Sequence, residues 1–262
     1  MMLTSSTEKL AASVLAKARL LSSRFEPMFI ADWDRVLMIH FGVDAAALQR
    51  DVPFQLDLRE GRAFVTLVAF TMRDMRPAFG GRFTAWPFRA IATHHFLNVR
   101  TYVRVGDEVG IHFLAEWVSN RLAVLLGPRT FSLPYRHGQI RYQNDWALGE
   151  LRGSVVDAVT GAAFEYHAGS ETGGPFSTCE PGSLDEWLME RYVAFNSACN
   201  RLRFFRVWHE PWQQCRAEVS ITEFSLLTEH WHWFRAAHLI GANYSPGACD
   251  VWLGRPRCFK HQ

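Results

Sequence analysis

Residues 96–104 read FLNVRTYVR, a pattern that predicts a β-strand. It is rich in β-branched and aromatic residues, and alternate side chains of an extended strand point to opposite faces. One of the two faces is polar and consists of Asn98, Arg100 and Tyr102. Gly106 and Asp107 then mark a turn, and residues 109–117 are again rich in β-branched and aromatic residues. The pattern predicts two strands joined by a turn, with one polar face that a binding site could use.

The same patterning extends outward along the chain. Further strands are predicted over residues 36–42, 64–72, 139–146, 150–156, 162–168, 201–208 and 217–224. Short helices are predicted over residues 45–50 after Asp44, over residues 119–126 before Gly127 and Pro128, and after Ser183. No strong linker or repeat divides the sequence. We therefore expect one α+β domain, mainly antiparallel, whose large sheet is curved or closed.

Composition excludes several classes of protein. Of the 262 residues, 48% are hydrophobic and 14% aromatic, which is enough apolar surface to offset chain entropy and exclude disorder. The longest apolar runs, such as residues 63–70, are far shorter than the roughly 20 residues of a membrane span, so no integral membrane contact is expected. The net charge of +2 is too balanced to indicate nucleic acid as a partner.

The cysteine spacing and the N-terminal sequence indicate the cellular compartment of the protein. The five cysteines are widely spaced and form no C-x-x-C pair, which favours reduced thiols in a cytoplasmic protein. No uninterrupted apolar segment follows the first basic residues, so no secretory signal is expected. Apolar residues at helical spacing predict a helix over residues 7–21, which either packs on the domain or meets a membrane surface. We assign residues 1–30 to a helical extension and residues 31–262 to a single domain.

Lysine is nearly absent. The chain contains Lys9, Lys17 and Lys260, and none of the residues between Ala18 and Phe259 is a lysine. A buried amine that forms an imine with a carbonyl substrate is therefore excluded from the core. Arginine supplies the fixed positive charge there and cannot act as such a nucleophile.

Histidines offer a weak case for a metal site. His209 and Glu210 begin like a zinc-protease helix, but the second histidine is missing and Pro211 would disrupt that helix. On a strand, His230 and His232 would share one face, but the sequence identifies no third ligand. An aromatic surface strip or a subunit contact explains that segment better than a metal site does. We therefore expect no metal and no cofactor.

Three segments together indicate a cavity. They are residues 44–56, residues 96–104, and residues 127–136, which read GPRTFSLPYR. The strings LNVRTYV and SLPY at this separation resemble the YqjF-like family of uncharacterised bacterial proteins, part of the acetoacetate decarboxylase-like superfamily. The resemblance covers roughly residues 33–253. It implies a cone-shaped antiparallel β-barrel of acetoacetate decarboxylase-like type, with a few peripheral helices and a ligand cavity inside.

The resemblance does not extend to the reactive residues of the decarboxylase. Its imine-forming lysine falls on Tyr135 and the neighbouring lysine on Arg136. Its cavity glutamate falls at or near Arg100, and its substrate-binding arginine falls near Asp34 and Arg35. The resemblance therefore implies the fold of the decarboxylase without its imine chemistry.

Arg100 is the central candidate residue. A guanidinium in a partly dry cavity needs an anionic partner, which is either a ligand or a protein carboxylate such as Glu116 on the neighbouring strand. Tyr135 is either a hydrogen-bonding or acid–base residue of the site or a core tyrosine. The candidate catalytic residue is Tyr135, and the candidate ligand-binding residues are Arg100, Asn98, Tyr102, Glu116 and Arg136.

The leading hypothesis is a protein that binds a small organic acid or another polar metabolite. It would catalyse, if anything, a non-imine reaction as a lyase, isomerase or dehydratase. The alternative is a non-catalytic binding or interaction protein that retains the barrel. A third hypothesis is a metal-dependent enzyme that uses His94, His95 or His112. The sequence leaves open whether the chain is an enzyme and whether it forms a homo-oligomer.

Overall fold

The structure is a computed structural model that describes residues 5–145, 150–169, 175–198 and 201–259. The strands are β1 Phe29–Val43, β2 Gln55–Leu56, β3 Ala63–Pro77, β4 His94–Val105, β5 Glu108–Val118, β6 Tyr135–Asp145, β7 Glu150–Asp157, β8 Ala163–Gly169, β9 Val193–Ala198, β10 Arg201–Trp208, β11 Cys215–Glu223, β12 His238–Leu253 and β13 Arg257–Cys258. The helices are α1 Ser5–Leu21, α2 Ala45–Gln49, α3 Gly81–Ala85, α4 Arg121–Phe131, α5 Leu184–Met189 and α6 Ser225–His230. Two 3-10 helices cover Trp86–Ile91 and His232–Ala236.

The described strands form one sheet in the order β13-β10-β9-β5-β6-β7-β8-β11-β12-β1-β3-β4-β2. Two further pairings, β4 with β5 and β10 with β12, connect strands that are distant in this order. All pairs are antiparallel except those of β5 with β6 and with β9. The α+β class and the mainly antiparallel sheet predicted from the sequence are confirmed.

Both faces of the central strands are buried, and they face different parts of the core. On β1, Leu37, Ile39 and Phe41 point to a large cluster that also contains Trp117. Val36 and Met38 point the opposite way, toward Val68 and Phe70 of β3. Each such buried aliphatic side chain contributes about 1.5–3 kcal/mol relative to exposure. The second face is the one that encloses the candidate site.

The helix after β5 is longer than the sequence indicates. Residues 119–126 were expected to form a helix ending at Gly127 and Pro128, but α4 continues to Phe131, where Ser132 adopts a left-handed conformation. Its N-cap is Asn120, whose side-chain oxygen accepts hydrogen bonds from the backbone of Leu122 and Ala123. The missing N–H of Pro128 removes only one bond of the helix, so the helix passes through it.

The segment that contains His230 and His232 is not a strand, so that interpretation is wrong. His230 ends α6, and His232 begins the second 3-10 helix. The His230 ring stacks on Trp117 with 5.3 Å between ring centroids. Packing against this buried indole outweighs the strand pattern of the segment.

Helix α1 packs on the rest of the chain, chiefly on β10. The indole nitrogen of Trp208 donates to the carbonyl oxygen of Ser13 at 3.1 Å. The Lys17 ammonium lies 3.8 Å from the centroid of the Trp208 ring and 4.8 Å from that of Trp252. The division at residue 30 stays a prediction, and β1 itself begins at Phe29.

None of the helices in the described part of the chain has the length and apolar character required to cross a membrane.

Candidate ligand-binding cavity

A cavity of about 460 Å³ lies against the second face of β1, β3, β4 and β5. The inner side of α4, the first 3-10 helix and residues of β9 and β10 complete its wall. Most of the lining is aromatic, methionine or aliphatic. The largest of these side chains are Phe29, Trp33, Met38, Phe70, Met72, Met75, Phe88, Phe96, Phe113, Phe131, Phe205 and Trp212. The cavity therefore favours a ligand whose body is apolar.

Polar groups in the wall come from three adjacent strands. Asn98 of β4 pairs in register with Glu116 of β5, and Glu116 pairs with Tyr135 of β6. Residues paired in this way lie side by side on one face of a sheet. Arg100 follows two positions after Asn98 and lines the same cavity. The alternation that defined the polar face in the sequence is what directs Asn98 and Arg100 to the cavity.

The Arg100 guanidinium is buried, with 7% of the residue exposed. Its Nη2 atom donates a weak bond to the Leu188 carbonyl oxygen at 3.3 Å and lies 3.6 Å from the Met38 sulfur. Its Nε atom has no hydrogen-bond partner. Within the described residues, no carboxylate forms an ion pair with it. Burial lowers the pKa of Arg100, but an arginine remains charged at neutral pH.

Glu116 is also buried, and its Oε2 atom has no hydrogen-bond partner. Burial raises the pKa of this carboxyl group well above its ordinary value, because a desolvated carboxylate is costly. The uncharged acid is therefore favoured, and it donates a hydrogen bond where a carboxylate could only accept. The expected alternative, a buried ion pair between Arg100 and Glu116, is absent among the ion pairs of the described residues.

Tyr135 is the first residue of β6, and its ring lies against α4. Its ring contacts Phe96 at 5.8 Å between centroids. A Cβ atom at Gly127 would overlap the Tyr135 ring, so the glycine inside α4 is what lets the helix approach the ring this closely. Burial and the adjacent Glu116 raise the pKa of Tyr135 well above its ordinary value, so its phenol stays protonated.

Two of the candidate residues do not line the cavity. The Tyr102 hydroxyl donates to the Leu188 carbonyl oxygen at 2.9 Å and bonds to Thr66, so this residue is part of the core beyond the cavity. Arg136 is exposed and lies 6.0 Å from the Trp117 ring centroid. Because neighbours on a strand point to opposite faces, an inward Tyr135 requires an outward Arg136.

Other polar residues in the wall were not predicted as ligand-binding. His94 lines the cavity, neither of its ring nitrogens has a hydrogen-bond partner, and burial lowers its pKa to about 4. Arg191, which follows α5, and His209, which follows β10, also line it. The Arg191 guanidinium is paired with Asp57 at 3.0 Å. These two arrive from distant parts of the chain, and the zinc-protease-like start at His209 does not indicate a place in this wall.

No group of three His, Cys, Asp or Glu side chains in the described ranges is arranged to hold a metal ion. The cavity lining contains no lysine. The expectations of no imine chemistry and of no metal both stay predictions.

Comparison with known proteins identifies the family. A sequence model of DUF2071, described as an uncharacterized conserved protein, matches residues 30–246. The chain belongs to this family. The uncharacterized protein YqjF of Bacillus subtilis strain 168 is 34% identical to it over 205 residues, which cover 72% of this chain and 76% of that protein. The resemblance seen in the sequence is confirmed.

Solved structures share the fold at low identity. Acetoacetate decarboxylase from Legionella pneumophila superposes with a TM-score of 0.63 and 11% identity, covering 89% of this chain and 87% of that one. The enduracididine biosynthesis enzyme MppR, in complex with pyruvate, superposes with a TM-score of 0.60 and 15% identity, covering 90% and 92%. The DUF2071 chain therefore has the fold of acetoacetate decarboxylase-like enzymes.

Proposed function

We propose that this protein binds a small organic acid whose carboxylate meets Arg100 and whose body is apolar. The observation that carries the proposal is a buried guanidinium without a carboxylate partner, in the wall of a mostly apolar cavity. Leaving such a charge unpaired is costly, and a carboxylate ligand would remove that cost through charge-assisted hydrogen bonds. The aromatic and methionine lining favours an apolar acid over the other polar metabolites that the sequence also suggested.

The polar wall supports a non-imine reaction on such an acid. Glu116 and Tyr135 are both favoured in their protonated forms, so both could donate hydrogen bonds to a carbonyl oxygen as it gains negative charge. In an enolisation, the proton would leave the carbon next to that carbonyl and pass to an unpaired base such as His94. Return of this proton to a different atom of the ligand would complete an isomerisation. Loss of a hydroxyl group from a neighbouring carbon as water would instead complete a dehydration. The alternative is a protein that binds the acid without turnover.

The proposal includes the surroundings of the site. The pairing of β4 with β5 supports a cone-shaped barrel closed around the cavity. Cys215, Cys249 and Cys258 form no disulfide within the described residues, which supports a reducing, cytoplasmic location.

Calorimetric titration of Arg100 variants tests the anchor. The probes are 3-phenylpropionate and its uncharged amide, which differ in the group that would face Arg100. We expect the acid to bind the unmodified protein, the amide to bind at least tenfold more weakly, and Arg100→Lys to weaken binding of the acid by about tenfold or more, because lysine loses the planar fork. Arg136→Lys, which alters an exposed arginine, serves as the control.

Unfolding in urea distinguishes a ligand-binding role of Arg100 from a purely structural one. If Arg100→Lys lowered the free energy of unfolding severely and left binding of the acid unchanged, Arg100 would be a structural residue. Equal binding of the acid and the amide would also contradict the proposal. Turnover of 3-oxo or 2-oxo derivatives of the probe would favour an enzyme over a binding protein.

A further inference from the structure

An exposed apolar patch lies beside the cavity. It consists of Phe79, Phe83, Trp86, Leu122, Leu125 and Leu126, all of which are exposed. Phe83 is 93% exposed and Trp86 is 70% exposed, although large aromatic side chains are normally covered. Contiguous apolar surface of this kind marks an interaction site.

The patch is held together by direct contacts between its elements. The Asn120 side chain caps α4 through its oxygen and donates from its nitrogen to the Ala90 carbonyl oxygen at 2.7 Å, which joins α4 to the first 3-10 helix. Phe83 and Trp86 are three residues apart, as are Leu122 and Leu125. Such spacing places side chains on one face of a helical segment.

The charged residues on the helices that form the patch all have one sign. Arg89, Arg121 and Arg129 are exposed in these elements, and none of them forms an ion pair within the described residues. The sequence contains no Asp or Glu over residues 75–106 or over residues 117–144. Arg76 is the exception among the nearby arginines, since it is paired with Asp250. An apolar patch ringed by free arginines is complementary to an anionic, amphipathic surface.

A second copy of the chain fits this surface poorly. A two-fold contact would place the patch against itself and bring its arginines together without carboxylates. An anionic lipid surface presents negative headgroups to the arginines and an apolar interior to the aromatic rings.

The patch and the cavity are formed by the same elements. Phe88 and Ile91 of the 3-10 helix and Ala123, Leu126 and Thr130 of α4 line the cavity, while other residues of these elements form the patch. Leu126 belongs to both. Any surface that covers the patch therefore lies next to the cavity.

We propose that this patch docks the protein on the anionic surface of a lipid membrane, next to the opening through which the cavity ligand is exchanged. Docking itself does not depend on the cavity, whereas transfer of an apolar acid from the membrane rests on the proposed function. An apolar acid partitions into a bilayer, so a cavity mouth at the membrane surface meets it where it is concentrated.

Co-sedimentation with vesicles tests the docking. The full chain is mixed with vesicles of phosphatidylcholine alone or of phosphatidylcholine with phosphatidylglycerol. We expect binding to the anionic vesicles that weakens with salt, and little binding to the zwitterionic ones. Phe83→Ser with Trp86→Ser should reduce binding by tenfold or more, and Arg121→Gln by about fivefold. Val159→Ser and Arg141→Gln change exposed residues elsewhere and should leave binding unaltered.

Further measurements separate the competing outcomes. Arg100→Lys should leave vesicle binding unaltered, so a failure of the cavity proposal does not count against docking. Equal binding to both vesicle types, or full binding by the Phe83→Ser, Trp86→Ser protein, would overturn the proposal. So would a dimer in analytical ultracentrifugation that these two substitutions dissociate, because a second copy would then cover the patch. Thermal unfolding checks that the variants remain folded.

Discussion

Glu116 is a carboxyl group inside the protein with one oxygen atom unpartnered, and this makes the stability of the fold depend on pH. Its pKa in the folded state is raised above the ordinary value of 4.5, while in the unfolded chain it is ordinary. Well below that value both states hold the proton, so the group contributes nothing to the pH dependence of stability. As pH rises, the unfolded chain loses the proton first, so stability is progressively lost until the folded pKa is reached.

Glu116→Gln should remove this dependence. We expect the free energy of unfolding of the unmodified protein to fall relative to the variant by up to about 1.4 kcal/mol per pH unit above pH 4.5. Urea unfolding of both proteins across pH measures the difference. Glu165→Gln, at an exposed position, should show no comparable trend. A constant difference between Glu116→Gln and the unmodified protein would show that Glu116 is ionised in the fold.

Single residues of the site differ in how well the sequence reveals them. The cavity positions of Asn98 and Arg100 follow from the two-residue period of a strand, which is local and easily read. The same period directs Arg136 away from the cavity once Tyr135 points inward. Tyr102 follows the period too, but β4 extends past the cavity. Arg191 and His209 come from distant segments, and only tertiary packing brings them to the wall.

At the scale of elements, the close contact between α4 and β6 depends on Gly127. Gly127→Ala places a methyl group against the Tyr135 ring. We expect a loss of about 1–3 kcal/mol of stability from overpacking, despite the better helix propensity of alanine. Binding of a cavity ligand should weaken too, because both α4 and Tyr135 line the cavity.

A double-mutant cycle checks the physical cause. In a Tyr135→Leu background the ring is gone, so Gly127→Ala should cost little or become favourable. If the cost in urea unfolding were the same in both backgrounds, the methyl group would act on something other than Tyr135.

Helices and strands are predicted well where the hydrophobic periodicity of the sequence is regular. They are predicted poorly where tertiary packing determines their type or their ends. Strand β7 matches its predicted range closely, because buried and more exposed residues alternate along it without a break. Gly127 and Pro128 ordinarily stop helices, so the sequence predicts an earlier end for α4. In the structure the helix continues to Phe131, and Gly127 allows it to lie close to the Tyr135 ring. His230 and His232 alternate as in a strand, yet the stacking of His230 on Trp117 is available only in the folded protein.

At the scale of the whole molecule, α1 acts as a cover for the tryptophans of β10 and β12. Its removal exposes the Trp208 and Trp252 rings and deletes the Lys17 contacts with them and the buried Leu20 side chain. Deleting residues 1–21 should therefore lower the free energy of unfolding by about 3 kcal/mol or more.

Denaturation followed by tryptophan fluorescence measures this loss. Lys17→Met, which keeps much of the aliphatic length and removes the charge, should account for about 0.5–2 kcal/mol of it. If the deletion left stability unchanged, α1 would be dispensable for the fold and the contacts of Ser13 and Lys17 would be incidental.

Strand β1 pairs along nearly its whole length with β12, from Phe29 opposite Leu253 to Gly42 opposite His238. During synthesis on the ribosome, β1 therefore emerges long before the strand that will cover one of its edges. Until the last segment leaves the exit tunnel, that edge presents unpaired backbone groups and buried-type side chains to other nascent chains. Pairings between such distant segments also slow folding, because a large loop must close before they form. The incomplete chain is therefore open to aggregation at this edge for as long as β12 has not paired with β1.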